Sequence, residues 1–128
     1  MNPGDYVAEV HRFLQSHPSI AGYQLTTDFR GESFLYLSGT VQFLEGTTLD
    51  FKEFVEFHGD RVERYKYSYN YREYNRVIVR YDNVPDPRAK HLSTYPAHKH
   101  DGETLVPSPP VDLLSIVAEL LQGPSDRL

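Results

Sequence analysis

The sequence predicts an α+β domain: a five-stranded antiparallel meander sheet flanked by an N-terminal and a C-terminal helix. Three observations predict it. Apolar residues recur at helical spacing near both ends, apolar and polar side chains alternate between Tyr23 and Asp82, and the separators inside that stretch are short. Short connections pair sequential neighbours as antiparallel hairpins. A chain of 128 residues suits one domain, 1–128, around one core.

Residues 1–16 read as an amphipathic helix. Asn2 can cap it, Pro3 suits its first turn, and Tyr6, Val10, Phe13 and Leu14 fall on one face. His17-Pro18 ends it, because a residue before proline avoids the helical region. Strands are expected at 23–29, 33–44, 48–57, 61–71 and 74–82, separated by Arg30-Gly31-Glu32, Glu45-Gly46-Thr47, His58-Gly59-Asp60 and Arg72-Glu73. Residues two apart share a side of a sheet. Leu35, Leu37, Val41 and Phe43 therefore define an apolar face, continued by Leu49, Phe51, Val55 and Phe57 and by Val77, Val79 and Tyr81. In the fourth strand Tyr65, Tyr67, Tyr69 and Tyr71 oppose Arg64, Lys66, Ser68 and Asn70, which favours core packing of the tyrosines over base stacking. A last helix near 111–122 carries a stripe of Leu113, Ile116, Val117, Leu120 and Leu121, and Gly123-Pro124 stops it.

Composition removes several classes. The hydrophobic fraction of 39% is lean, but ten Tyr and seven Phe compensate by burying large areas. The chain has no Cys, so disulfides, thiolate zinc sites and cysteine nucleophiles are excluded, and a reducing cytoplasm is the expected location. A net charge of −5 argues against broad binding to duplex DNA, although one cleft can still be basic. No apolar run nears the roughly 18 residues that span a bilayer. The first residues, Met-Asn-Pro-Gly-Asp-Tyr, lack the basic region and apolar core of a signal peptide. No phosphate-loop or dinucleotide glycine pattern occurs, and Ser68 lacks the Gly-x-Ser-x-Gly turn of a hydrolase nucleophile.

A long loop, about 83–110, shows neither helical nor strand period. Loops beyond about 12–15 residues are usually functional or disordered, and Tyr81, Leu92 and Tyr95 offer this one apolar anchors. Arg80-Tyr81-Asp82-Asn83-Val84-Pro85 leads into it. His91 and the run Tyr95-Pro96-Ala97-His98-Lys99-His100-Asp101 lie within it. Arg, Asp, His and Lys in such a loop can bind anions or move protons near neutral pH.

The order of these motifs resembles the TumE family, the toxin component of prokaryotic toxin–antitoxin modules. The resemblance runs over nearly the whole chain. It includes the N-terminal helix, the strand Tyr67-Ser68-Tyr69-Asn70-Tyr71, the Arg-aromatic-Asp-Asn-x-Pro turn at 80–85, the aromatic-Pro-x-His-Lys-His run at 95–100, and Pro107-Ser108 before the last helix. It implies a growth-inhibiting protein held by a cognate antitoxin, often of helix-turn-helix type, with a homodimer allowed and no reaction specified. In the family pattern histidine often stands where this chain has Asn70, Ala97 and Asp86.

Joined to the histidine loop, the resemblance makes a toxin acting on RNA the expected function, as a metal-independent endoribonuclease without cofactor. Such an enzyme needs one group to take the 2′-hydroxyl proton, one to protonate the leaving oxygen and a cation for the phosphorane charge. His98 and His100 are the candidates for proton transfer, with His91 beside them, because imidazole has an ordinary pKa of about 6.5. Arg80 and Lys99 are the candidates for phosphate, Asp82 for orienting an imidazole or guanidinium, and Arg64, Lys66 and Lys52 for a basic sheet surface. Asp82 can equally cap the turn that follows it. The loop is long enough to return His98 or His100 to hydrogen-bond reach of Arg80 or Asp82, with Tyr95-Pro96 as an apolar hook and a raised imidazole pKa beside the carboxylate. A metal site is the weaker expectation. His98-Lys99-His100 puts two imidazoles on one side if extended, completed by Asp82, Asp101 or His91, but His-x-His is a common accident. The competing class is a non-enzymatic protein-binding module that acts through a partner.

Overall fold

The structure is a computed structural model, and it describes residues 1–121. Helix α1 (Pro3–Ser16) leads into strands β1 (Ile20–Arg30), β2 (Phe34–Phe43), β3 (Thr48–His58), β4 (Arg61–Glu73) and β5 (Arg76–Asp82). A single 3₁₀ turn (Pro87–Ala89), strands β6 (His98–Asp101) and β7 (Thr104–Pro107), and helix α2 (Leu113–Leu120) complete the described chain. Asn2 caps α1 as expected, accepting from Asp5 N at 2.8 Å. Asp112 and Ser115 form a reciprocal capping box that starts α2. The expected end of this helix at Gln122 and Gly123-Pro124 lies outside the described residues. Among those described, no helix is long and apolar enough to cross a membrane.

The sheet is an antiparallel meander, but it has seven strands rather than five, in the order β1-β2-β3-β4-β5-β6-β7. The two added strands come from the segment expected to be a loop. His98–Asp101 carries no apolar alternation of its own, so its extended form comes from pairing with β5, where Arg80 meets His100 and Asp82 meets His98. Gly102, at φ +63°, lets the chain reverse in two residues, and Thr104-Leu105-Val106 supplies the return strand.

One face of the sheet carries the core. Leu35, Leu37, Val41, Leu49, Phe51, Val55, Tyr67, Tyr69, Tyr71, Val79 and Tyr81 are buried there together with Tyr6, Val10 and Leu14 of α1 and Leu113, Ile116, Val117 and Leu120 of α2. Both helices therefore lie on the same side, and the opposite face is left to polar residues and a few half-buried aromatics.

Two bulges break the expected parity. Phe54 pairs with Lys66 and Val55 with Arg64, so Tyr65 is an extra residue in β4. The result turns Tyr65 outward at 47% exposure and sends Arg64 to the core side. A second shift lies between Tyr71 and Arg72, leaving Val77 exposed while Ile78 packs against the core.

The arginine has a purpose in the core. Glu53, only 1% exposed between Phe51 and Val55, accepts hydrogen bonds from the hydroxyls of Tyr6 and Tyr69. Arg64 Nη2 donates to the Tyr6 hydroxyl oxygen at 3.1 Å, and Nε lies 3.5 Å from Glu53 Oε2. A buried carboxylate needs such partners. Burial first, and then the Glu53 charge, push both tyrosine hydroxyls far above their ordinary range. The cluster ties α1 to β3 and β4.

Candidate active site

The site is assembled where β5 meets β6. Asp82 and His98 are cross-strand partners, 3% and 1% exposed, with His98 Nε2 3.1 Å from Asp82 Oδ1. His100, two residues along β6 on the same side, places Nε2 3.0 Å from His98 Nε2 and 3.6 Å from Asp82 Oδ2. Arg80 Nε donates to Asp82 Oδ2 at 3.0 Å, and the Val84 amide donates to Asp82 Oδ1 at 3.1 Å. Asp82 thus fills both roles open to it, turn acceptor and partner of an imidazole. Asn83 secures the same turn on β4, accepting from Tyr67 N at 3.0 Å and donating to the Tyr65 carbonyl at 2.9 Å.

His98 is committed at both ring nitrogens. Its Nδ1 lies 2.7 Å from Pro96 O, and a carbonyl only accepts, so that nitrogen carries the hydrogen. Its Nε2 points into the cluster. There it faces the Nε2 of His100. His100 is the member with access, its side chain 26% exposed. Burial lowers its pKa, an effect that the Asp82 charge offsets and that His98, Arg80 and Arg88 reinforce. The direction is opposite to the expected rise, because desolvation of this ring outweighs its carboxylate neighbour.

The cluster closes one end of a polar face built in two rows. Thr26, Ser38, Lys52, Ser68, Asp82 and His98 are successive cross-strand partners, as are Gln24, Thr40, Asp50, Asn70, Arg80 and His100. An open trough of about 420 Å³ runs over these rows and reaches Arg80. Asn70, one of the positions where the family resemblance points to histidine, lies in this trough. Ala97 is buried, and Asp86 caps the 3₁₀ turn and pairs with Arg88 at 2.9 Å. Beside the trough, Phe54 stacks on Phe34 at 5.7 Å between ring centres, with Tyr36 at 6.3 Å and Tyr65 at 6.2 Å, and Lys66 faces Phe54 across the strands.

Three residues named from the sequence lie elsewhere. Lys99 follows strand parity onto the core side, over the Tyr81 ring at 5.2 Å and 3.6 Å from Glu119. Arg64 is held by Glu53 and Tyr6. His91 is exposed in the connection and outside the cluster, and the Tyr95 hook is itself 36% exposed. The aromatic row was not anticipated. Its signal lay in the off-core phase of β2 and β3, where Phe34, Tyr36 and Phe54 stand among polar residues.

A family model described as Toxin TumE matches residues 10–128. No curated protein and no solved structure matches the chain.

Proposed function

Because this chain belongs to the TumE toxin family, we propose that it arrests growth by cutting RNA, with Arg80 and the Asp82–His98–His100 cluster as the reacting centre. The family also implies an antitoxin as its partner. The observation that carries the reading is the shared face. A buried His–Asp cluster adjoins, through Arg80, a trough lined by Lys52, with Lys66 and an aromatic row beside it. Aromatic faces that stack bases, set among cations that follow a backbone, are the means by which single strands are held without sequence preference.

In the reaction the RNA's own 2′-oxygen bonds to phosphorus, the bond from phosphorus to the 5′-oxygen breaks, the 2′ proton is removed and a proton is returned to the 5′-oxygen. Arg80, exposed at the trough's end, is placed to stabilise the added negative charge. Removal of the 2′ proton falls to His100, the cluster's partly exposed imidazole and the cross-strand partner of Arg80. His98 has no ring nitrogen left for the leaving oxygen, so water supplies that proton.

Purified protein given a mixed-sequence RNA should yield 2′,3′-cyclic phosphate and 5′-hydroxyl ends. Arg80→Ala should slow cleavage by about 10²–10³-fold, whereas Lys99→Ala, on the other face, should leave it unchanged. Intact RNA with folded wild-type protein that still arrests growth would replace this reading with a non-enzymatic module acting through a protein partner.

A further inference from the structure

Three acceptor groups converge where the two polar rows end. With its hydrogen on Nδ1, a neutral His98 presents a lone pair at Nε2, directed at His100 Nε2 at 3.0 Å and Asp82 Oδ1 at 3.1 Å. His100 Nε2 lies 3.6 Å from Asp82 Oδ2, the carboxylate's other oxygen. One shared proton serves one edge well and leaves lone pairs facing each other elsewhere, in a buried place where unmet polar atoms are costly. A cation at the centre satisfies all three. A tetrahedral ion with bonds of about 2.0–2.2 Å holds its ligand atoms about 3.3–3.6 Å apart, near the 3.0, 3.1 and 3.6 Å between these groups.

We propose that Asp82, His98 and His100 bind one divalent first-row transition ion of the zinc class, with its remaining coordination on the His100 side. The surrounding bonds fit that role. Imidazoles that hold metals donate their second nitrogen to a carbonyl or carboxylate, as His98 does to Pro96 O at 2.7 Å. Arg80 Nε and the Val84 amide pin the carboxylate at 3.0 and 3.1 Å. Two imidazoles and one carboxylate suit zinc, whereas magnesium prefers oxygen ligands and water. A second group, Glu56, His58 and Glu63, is partly exposed, and His58 is already paired with Glu56 at 2.9 Å.

The ion's task, though not its binding, rests on the RNA-cutting reading. It would lower the pKa of the hydroxyl or water in its open position and share the phosphate's charge with Arg80, and His100 would then be a ligand rather than a base.

Protein stripped with EDTA and titrated with zinc chloride in a calorimeter should take up one ion per chain, and magnesium chloride should reveal no site. His100→Gln changes a residue at the rim, so it should keep the wild-type circular dichroism and bind zinc at least about 100-fold more weakly. No uptake by folded stripped protein, or equal uptake by His100→Gln, overturns the site. Uptake without any RNA cleavage keeps the site and removes the RNA reading. Undiminished cleavage by stripped protein in EDTA keeps the RNA reading and overturns the ion's task.

Discussion

Asp82 and His98 meet at 3.1 Å across neighbouring strands, both almost wholly buried, although a stretch with no strand pattern of its own separates them in sequence. The contact organises the site from both sides. It holds the imidazole, and Asp82 at the same time accepts from Arg80 and from the turn that leaves β5.

Asp82→Asn keeps the shape and removes the charge. The amide nitrogen would face either Arg80 Nε or the Val84 amide, both of which donate to the carboxylate. Loss of growth arrest is expected, with cleavage down by about 10²–10⁴-fold and stability lower by about 1–3 kcal/mol. Urea unfolding and a cleavage assay on the same preparation separate the two effects.

The Glu53 cluster gives a stability prediction apart from function. Tyr69→Phe removes one of the two hydroxyls that donate to this buried carboxylate. The variant should lose about 1–3 kcal/mol, read as a lower denaturant midpoint with an unchanged slope. A midpoint equal to wild type would contradict the role given to this bond.

The same cluster sets the alkaline limit. Tyr6 and Tyr69 titrate far above the ordinary 10.0, chiefly because they are buried and next because Glu53 faces them. The folded chain keeps protons that the unfolded chain releases, so this stability is complete below pH about 10 and is lost as pH rises. The decline should be about 1.4 kcal/mol per pH unit for each hydroxyl. Urea unfolding at stepped pH, followed with tyrosinate absorbance, measures it, and a level stability through that range would count against the burial.

Lys52 and Lys66 stand on the open face, and Lys99 on the core face. Replacing both Lys52 and Lys66 by Ala should weaken single-stranded RNA binding. The slope of log affinity against log salt should fall by about 0.7 for each phosphate that is no longer neutralised. Lys99→Ala should leave the slope where it was, and filter binding across a salt series reports both.

Gly39 sits inside β2 where β1 and the core close in. A Cβ there would lie 2.5 Å from Gln24 O and 2.9 Å from both Leu25 Cδ2 and Phe51 Cε1. Gly39→Ala should cost about 1–3 kcal/mol through overpacking, visible as a lower thermal midpoint.

The elements up to Asp82 were legible because each repeats a period long enough to read. Leu35 to Phe43, Leu49 to Phe57 and the stripe of α2 give their faces directly. What escaped was set by pairing rather than pattern. His98–Asp101 is a strand because β5 offers it a register, and Tyr65 points outward because one extra residue enters β4. The approach of His98 to Asp82 could be anticipated from loop length and chemistry. Lys99 is turned to the core face by strand parity, which is fixed only by the pairing of this segment with β5. Arg64 was misplaced for a related reason: the alternation around it was real, but a bulge reversed it.

The two polar rows have a consequence for how this protein can change. Each row takes one residue from each of six successive strands, so the face is held in register by the lengths of the hairpin turns. Substitution can revise the trough one side chain at a time. A single-residue insertion or deletion within a strand inverts every side chain beyond it unless a bulge absorbs the step. Tolerance to change in length should therefore be confined to the connection between β5 and β6 and to bulge positions such as Tyr65, and a library of one-residue deletions scored for folding would map that boundary.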